Sequence, residues 1–173
     1  GRVVGAAFWK NQAGAPPPEM AEFHDLVKRG ARAGRYDQRA DLAHMRLYGI
    51  VEAKAPLLAA ATMINTLKQP GLSQTSLVAR MDMVDEALAV GLRSNDDAPS
   101  LPMLRTAIDS ADVYAQRYWR GLVAACPVMT DRDEVLRSWA WYAKNPPPFA
   151  EAQAYRTAAS RYLAQVKAKT FKC

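Results

Sequence analysis

Apolar residues recur along the chain with the period of an α-helix from about residue 18 onward. Over residues 77–88, leucine, methionine, valine and leucine follow the spacing i, i+4, i+7 and i+11, which places them on one helical face. Nowhere does a period-two alternation last for the length of a strand. The pattern predicts seven helices, over about residues 19–31, 37–49, 56–68, 73–91, 100–127, 130–145 and 149–167.

Residues that favour helix ends separate these segments. Glycine or proline follows most of them, and the connections are short, so neighbouring helices are expected to run antiparallel. The predicted fold class is therefore all-α, with about seven helices in stacked antiparallel hairpins, as in an α-solenoid. The predicted N-caps are Asp37, Ser73, Ser100 and Thr130, the last in a capping box with Asp133.

The first 18 residues are expected to form an extended N-terminal arm, ahead of a single helical-repeat domain over residues 19–173. The run Pro16-Pro17-Pro18 disfavours a stable helix there. Phe8 and Trp9 stand side by side in this arm. Two adjacent aromatic rings are rarely left in solvent, so we expect them to anchor the arm, either on its own domain or on a partner.

Composition narrows the class of protein. Half of the residues are hydrophobic, enough for a core, and 23 Lys and Arg against 17 Asp and Glu give a net charge of +6. The longest nearly apolar run, residues 57–64, is too short to cross a bilayer. The chain begins with Gly1 instead of Met, so we expect either a mature chain from which an organelle transit peptide has been removed or a chain trimmed at its N-terminus.

Candidate chemistry is sparse. Two cysteines make no disulfide framework: Cys126 is expected to be a buried apolar residue, and Cys173 a mobile terminus. His24 and His44 match no metal-ligand spacing, and the carboxylates near residues 82–86 are expected to form a solvated helix face. There is no phosphate-binding GxxxxGK[ST] loop. We therefore predict no catalytic, cofactor-binding or metal-binding residue, and a protein that is not an enzyme.

Residues 21–56 combine the features of one helix–turn–helix repeat. An aromatic and an apolar pair lie on its first helix, a glycine lies in the turn, and a methionine precedes a closing Gly-Ile pair. From Ala33 to Met45 the unit is one residue short, and the usual proline after the closure is displaced to Pro56. The stretches that contain these repeat features are Phe23-His24-Asp25-Leu26-Val27, Ala33-Gly34-Arg35-Tyr36-Asp37 and Met45-Arg46-Leu47-Tyr48-Gly49-Ile50. This segment resembles a pentatricopeptide repeat.

Within that family, length, helix number and the degenerate first repeat resemble the small accessory subunits on the F1 head of mitochondrial ATP synthase in euglenozoan protists. The resemblance implies a pentatricopeptide-like α-solenoid in the mitochondrial matrix. It also implies a noncatalytic structural role in a large assembly, docked on the outer face of the ATP synthase α subunit. No membrane span and no cofactor are expected.

The uneven distribution of basic residues keeps a second function open. Pentatricopeptide proteins hold single-stranded RNA on a basic face, so a small organellar RNA-binding protein, of a mitoribosome or an RNA-processing complex, is the alternative. Recognition of successive RNA bases needs several regular repeats, and this chain has one clear repeat. Protein docking is therefore favoured over RNA binding. Trp141 is a further candidate anchor for a partner. The candidate interface residues are Phe8, Trp9, Arg32, Arg35, Arg39 and Trp141, and Lys28, Arg29 and Arg46 add to the basic first hairpin.

Overall fold

The computed structural model describes residues 6–14 and 16–173, and over these residues the fold is all-α, as predicted. Three short 3₁₀ segments, Ala98–Ser100, Trp141–Lys144 and Ala150–Ala152, accompany the α-helices. None of the described helices is long and apolar enough to cross a membrane. The helices are α1 (Ala6–Gln12), α2 (Glu19–Arg32), α3 (Tyr36–Tyr48), α4 (Pro56–Thr66), α5 (Gln74–Ser94), α6 (Leu101–Asp109), α7 (Gln116–Ala125), α8 (Arg132–Ala140) and α9 (Gln153–Lys167).

The prediction of an extended arm is wrong for residues 6–12, which form α1. Trp9 is fully buried and stacks on Phe23 and His44, with ring centroids 6.0 and 5.8 Å away. The adjacent Lys10 pairs with Glu86 of α5 at 3.3 Å. These contacts within the chain stabilise a helix too short to be stable alone. Residues 1–5 and 15 of the predicted arm lie outside the described residues.

The predicted fifth helix is two helices, α6 and α7, separated at residues 110–115. The side-chain amide of Gln116 donates to the carbonyls of Ile108 and Asp109, at 3.0 and 3.1 Å. In a continuing helix these carbonyls would accept from the amides of the next turn, and here the Ile108 carbonyl also accepts from the Ala111 amide at 3.0 Å. A side chain therefore completes the end of α6, and the described chain contains nine α-helices where seven were predicted.

The chain divides into two compact units, Gly1–Ala107 and Ile108–Cys173. The single domain expected over residues 19–173 stays a prediction beside this division. In the first unit α4 is buried on nearly every side, and α3 and α5 pack against it. Gly91 was predicted to end the fourth helix, but α5 continues to Ser94 and ends at Asn95, whose φ of +57° is left-handed. Gly91 lies inside the helix and gives Leu57 of α4 room to approach.

Some predicted helix caps are displaced by a residue or two. Ser73 accepts from the Ser76 amide at 3.1 Å, as predicted. At α8 the cap is Asp131, which accepts from the Glu134 amide at 3.0 Å, and not Thr130. Asp37 lies inside the first turn of α3 and pairs with Arg80 at 3.1 Å, and Ser100 lies in a 3₁₀ segment that continues into α6.

The second unit packs α7, α8 and α9 around aromatic side chains. Trp119, Trp139 and Tyr142 are buried at its centre. The Tyr142 hydroxyl donates to the carbonyl of Tyr114 at 2.6 Å, and the Trp139 indole donates to that of Tyr118 at 3.2 Å. Cys126 is buried as expected, but Cys173 is not a loose terminus, because a disulfide joins the two.

Candidate functional site: a basic pocket in the first unit

An open pocket of about 420 Å³ lies in the first unit, among α2, α3, α4 and the first turn of α6. Four of its lining side chains are cationic and none is acidic. The lining residues are Lys28, Ala31, Arg32, Arg39, Leu42, Arg46, Thr62, Asn65 and Met103. We call this set the basic pocket.

Helical spacing explains how these cations come together. Lys28 and Arg32 are four residues apart on α2, and Arg39 and Arg46 are seven apart on α3, so each pair lies on one helical face. The two helices form an antiparallel hairpin that turns at Gly34, whose φ of +83° favours glycine. The hairpin thus brings the two basic faces to one side.

Arg46 is held by a partly buried polar network. Its Nε donates to Oε1 of Glu52 at 3.0 Å, and a terminal nitrogen donates to the Thr62 hydroxyl at 2.8 Å. The other oxygen of Glu52 is 2.6 Å from Nε2 of His24, and His24 is the buried member of the network. Because Glu52 already compensates one positive charge, Arg46 contributes a fixed donor geometry more than net charge.

The other three cations have no acidic partner in the described part of the chain. Arg39 is oriented by donating its Nε to the Ala31 carbonyl at 3.2 Å, and its guanidinium lies 5.8 Å from the Tyr36 ring centre. Neither contact neutralises its charge. Lys28 and Arg32, on the facing helix, form no ion pair with a described residue.

The basic pocket is therefore suited to hold an anion. Three uncompensated positive charges in a partly enclosed space attract carboxylates or phosphates and form charge-assisted hydrogen bonds with them. Thr62 and Asn65 add uncharged polar groups, and Met103, which is 55% exposed, adds apolar surface. The lining contains no His, Cys, Asp or Glu that could act as a nucleophile or a general base.

The structure brings together only some of the candidate interface residues. Arg32 and Arg39 both line the basic pocket, whereas Arg35 is exposed outside it. Lys28 and Arg46 were expected only to add to the basic first hairpin, and Met103 was not among the candidates. The i, i+4 relation of Lys28 to Arg32 is the sequence signal that could have grouped Lys28 with the candidate interface residues.

The aromatic candidates lie elsewhere and differ in exposure. Trp9 is fully buried against its own unit, so it is the intramolecular anchor and offers no surface to a partner. Phe8 is 42% exposed and contacts Trp9 edge-on. Trp141, in the second unit, is half-buried under the Arg117 guanidinium at 4.3 Å and beside Tyr114.

Other polar side chains of the first unit, among them Glu86, Asp41 and His44, take part in its internal packing. Glu86 accepts from the Tyr48 hydroxyl at 3.1 Å and pairs with Lys10, so the carboxylates at 82–86 are not simply a solvated face. Burial raises the pKa of Asp41 to about 6, and nearby Asp37 adds to the rise. Burial lowers the pKa of His44, which favours the neutral ring that stacks on Trp9. Among the described residues no three His, Cys, Asp or Glu side chains gather into a metal-binding group.

Comparison of this chain with known proteins identifies no related protein. The sequence matches no protein-family model, no curated protein and no solved structure. The class of protein defined here is therefore an all-α chain of helical hairpins with a basic pocket.

Proposed function

We propose that this protein is a noncatalytic docking subunit and that its basic pocket receives acidic side chains of a protein partner. The observation that carries the proposal is the set of three pocket cations, Lys28, Arg32 and Arg39, without an acidic partner in the described chain. Left without a counterion, these charges repel one another. A partner's carboxylates would compensate them.

The assembly we propose is mitochondrial ATP synthase, with the protein on the outside of the F1 head against the α subunit, on the matrix side. Support for this choice comes from the pentatricopeptide-like residues of the first hairpin. There, Gly34 turns between the helices and Gly49, with φ of +68°, ends α3 in the left-handed conformation. Binding without chemistry is the usual role of such helical scaffolds.

RNA binding is the second candidate, because the pocket cations suit phosphates as well as carboxylates. Two features favour the protein partner. The pocket lining contains no aromatic ring on which a base could stack. Contact along one RNA strand would require Arg32, Arg35 and Arg39 to lie along one groove, and Arg35 lies outside the lining that holds the other two.

Isolation of the tagged protein from its source, with and without nuclease, tests both candidates. Native mass spectrometry is expected to show the protein with the ATP synthase α and β subunits, unchanged by nuclease. Loss of the partners on nuclease treatment, or recovery with ribosomal proteins, would support the RNA-binding candidate instead.

A matched pair of variants assigns the interaction to the pocket. Lys28→Gln with Arg32→Gln removes two pocket charges, whereas Arg29→Gln with Arg35→Gln removes two exposed charges outside the lining. We expect the first pair to weaken recovery of the partner roughly tenfold or more, and the second pair to change it much less. Equal losses from both pairs would show that only overall charge matters.

A further inference from the structure

The last six residues of the chain fold back onto the second unit. After α9, Lys169 adopts a left-handed φ of +60°, and the Thr170 amide donates to the Gln165 carbonyl at 2.8 Å. The ring of Phe171 then packs 5.4 Å from the rings of both Trp139 and Tyr162. We call residues 168–173 the C-terminal tail.

A disulfide fastens the end of this tail to the residue that follows α7. Cys126 and Cys173 are bonded through their sulfur atoms, and their Cα atoms lie 5.6 Å apart, an ordinary spacing for a disulfide. Cys126 is buried, whereas Cys173 is exposed at the chain terminus. Cys173 is therefore the more accessible residue of the pair, and its sulfur lies 3.3 Å from the carbonyl oxygen of Ala125.

The tail has few other attachments. Beyond the disulfide and the Phe171 ring contacts, its hydrogen bonds lie near α9: the amides of Ala168, Lys169 and Thr170 donate to carbonyls of residues 164–166, and the Thr170 hydroxyl lies 3.4 Å from the Gln165 carbonyl. The Cys173 sulfur also lies against the carbonyl oxygen of Ala125. Lys169 and Lys172 are exposed. Loss of the covalent bond would therefore leave the terminal residues held mainly by one aromatic ring.

We propose that Cys126 and Cys173 form a reversible redox latch that a protein dithiol of the thioredoxin class opens. A reductant thiolate attacks the sulfur of Cys173, the more exposed residue of the pair, the sulfur–sulfur bond breaks, and Cys126 leaves as a thiolate that takes up a proton. The second reductant thiol then attacks the mixed disulfide and releases Cys173, which is also protonated. Two electrons and two protons pass to the cysteines, and the dithiol becomes a disulfide.

Opening of the latch frees the C-terminal tail and uncovers the Phe171 side of the Trp139 and Tyr162 rings. The latch lies in the second unit and does not depend on the function proposed for the basic pocket. It is a switch that responds to the thiol balance of the compartment, since exposed disulfides are the more easily reduced.

The test begins with the full chain isolated from its source, its thiols blocked with N-ethylmaleimide at the moment of lysis. Intact mass is expected to show a population that carries no maleimide, and incubation with reduced thioredoxin before blocking is expected to add two. Recovery of only the doubly labelled form from the source, or resistance of the unlabelled form to thioredoxin, would overturn the proposal.

Hydrogen exchange then measures the tail itself. Reduction is expected to speed exchange of the Thr170 amide roughly tenfold or more, while the amides of α7 keep their protection. The variant Cys126→Ser with Cys173→Ser is expected to exchange like the reduced protein, with or without thioredoxin. Equal exchange of Thr170 in the oxidised and reduced protein would show that the disulfide does not hold the tail and would overturn the latch.

Discussion

Asp97 caps the central helix of the first unit from a distance of forty residues in the chain. One of its carboxylate oxygens accepts from the backbone amides of Leu57 and Leu58, at 2.8 and 3.1 Å. Helix α4 begins with Pro56, which has no amide hydrogen, and Ala55 before it offers no side-chain cap. Asp97 thus supplies the cap that the local sequence lacks.

The cost of removing this cap can be estimated from its contacts. Loss of a capping acceptor costs about 1 kcal/mol, and loss of a negative charge at a helix N-terminus adds about 0.5 kcal/mol or more when the site is partly buried. Asp97→Ala is therefore expected to lower the unfolding free energy of the first unit by about 2 kcal/mol. With a urea slope of about 1–3 kcal/mol/M, the midpoint falls by about 1 M.

Urea denaturation followed by circular dichroism at 222 nm measures this loss. Asp96→Ala is the matched control, because Asp96 is the neighbouring residue and is exposed. Asp97→Asn keeps an acceptor without the charge and is expected to lose about half as much as Asp97→Ala. Equal midpoints for Asp97→Ala and Asp96→Ala, or unchanged amide exchange at Leu57 and Leu58, would refute the capping role.

Two further predictions concern the carboxyl group of Asp41 and the close packing of Gly121 against Trp139. Because the folded pKa of Asp41 is raised from 3.8 to about 6, its contribution to stability is fully present below pH 3.8 and is lost as pH rises through 6. Partial exposure of Asp41 reduces this loss of unfolding free energy to about 1 kcal/mol. Urea midpoints measured from pH 4 to 7 are expected to show the loss in the control variant Asp25→Asn and not in Asp41→Asn. Gly121→Ala places a methyl group against the Trp139 indole, so we expect a loss of about 2 kcal/mol, with altered Trp139 fluorescence in thermal melts. An unshifted melt would show that the indole moves freely.

Most helices of this fold can be predicted from the sequence, because a helix that is buried on one face repeats its apolar residues with the helical period. The seven predicted segments cover eight of the nine described helices, with α6 and α7 inside one segment. The missed helix and the missed break depend on contacts distant in the chain or on a single side chain. Helix α1 is stabilised by the burial of Trp9, and the break between α6 and α7 contains no glycine or proline and is completed by Gln116.

The candidate site is only partly readable for a similar reason. The basic character of the first hairpin follows from composition, but the rotation of each helix decides which cations face the pocket. The rotation of α2 places Lys28 in the lining, whereas Arg35 lies in the turn before α3, in extended backbone, and outside the lining. Met103 reaches the same pocket from α6, and no local pattern relates it to α2. The disulfide likewise depends on how the tail folds back.

Zero-length crosslinking of the intact complex tests the central proposal most directly. A carbodiimide joins a lysine amine to a carboxylate only when the two are in contact, and Lys28 is the pocket lysine. We predict that mass spectrometry will find Lys28 joined to an aspartate or glutamate of the ATP synthase α subunit, while exposed Lys68, outside the pocket lining, forms no such link. Crosslinks to that subunit from Lys68 but not from Lys28, or a nucleotide attached at the pocket after ultraviolet irradiation, would contradict the account.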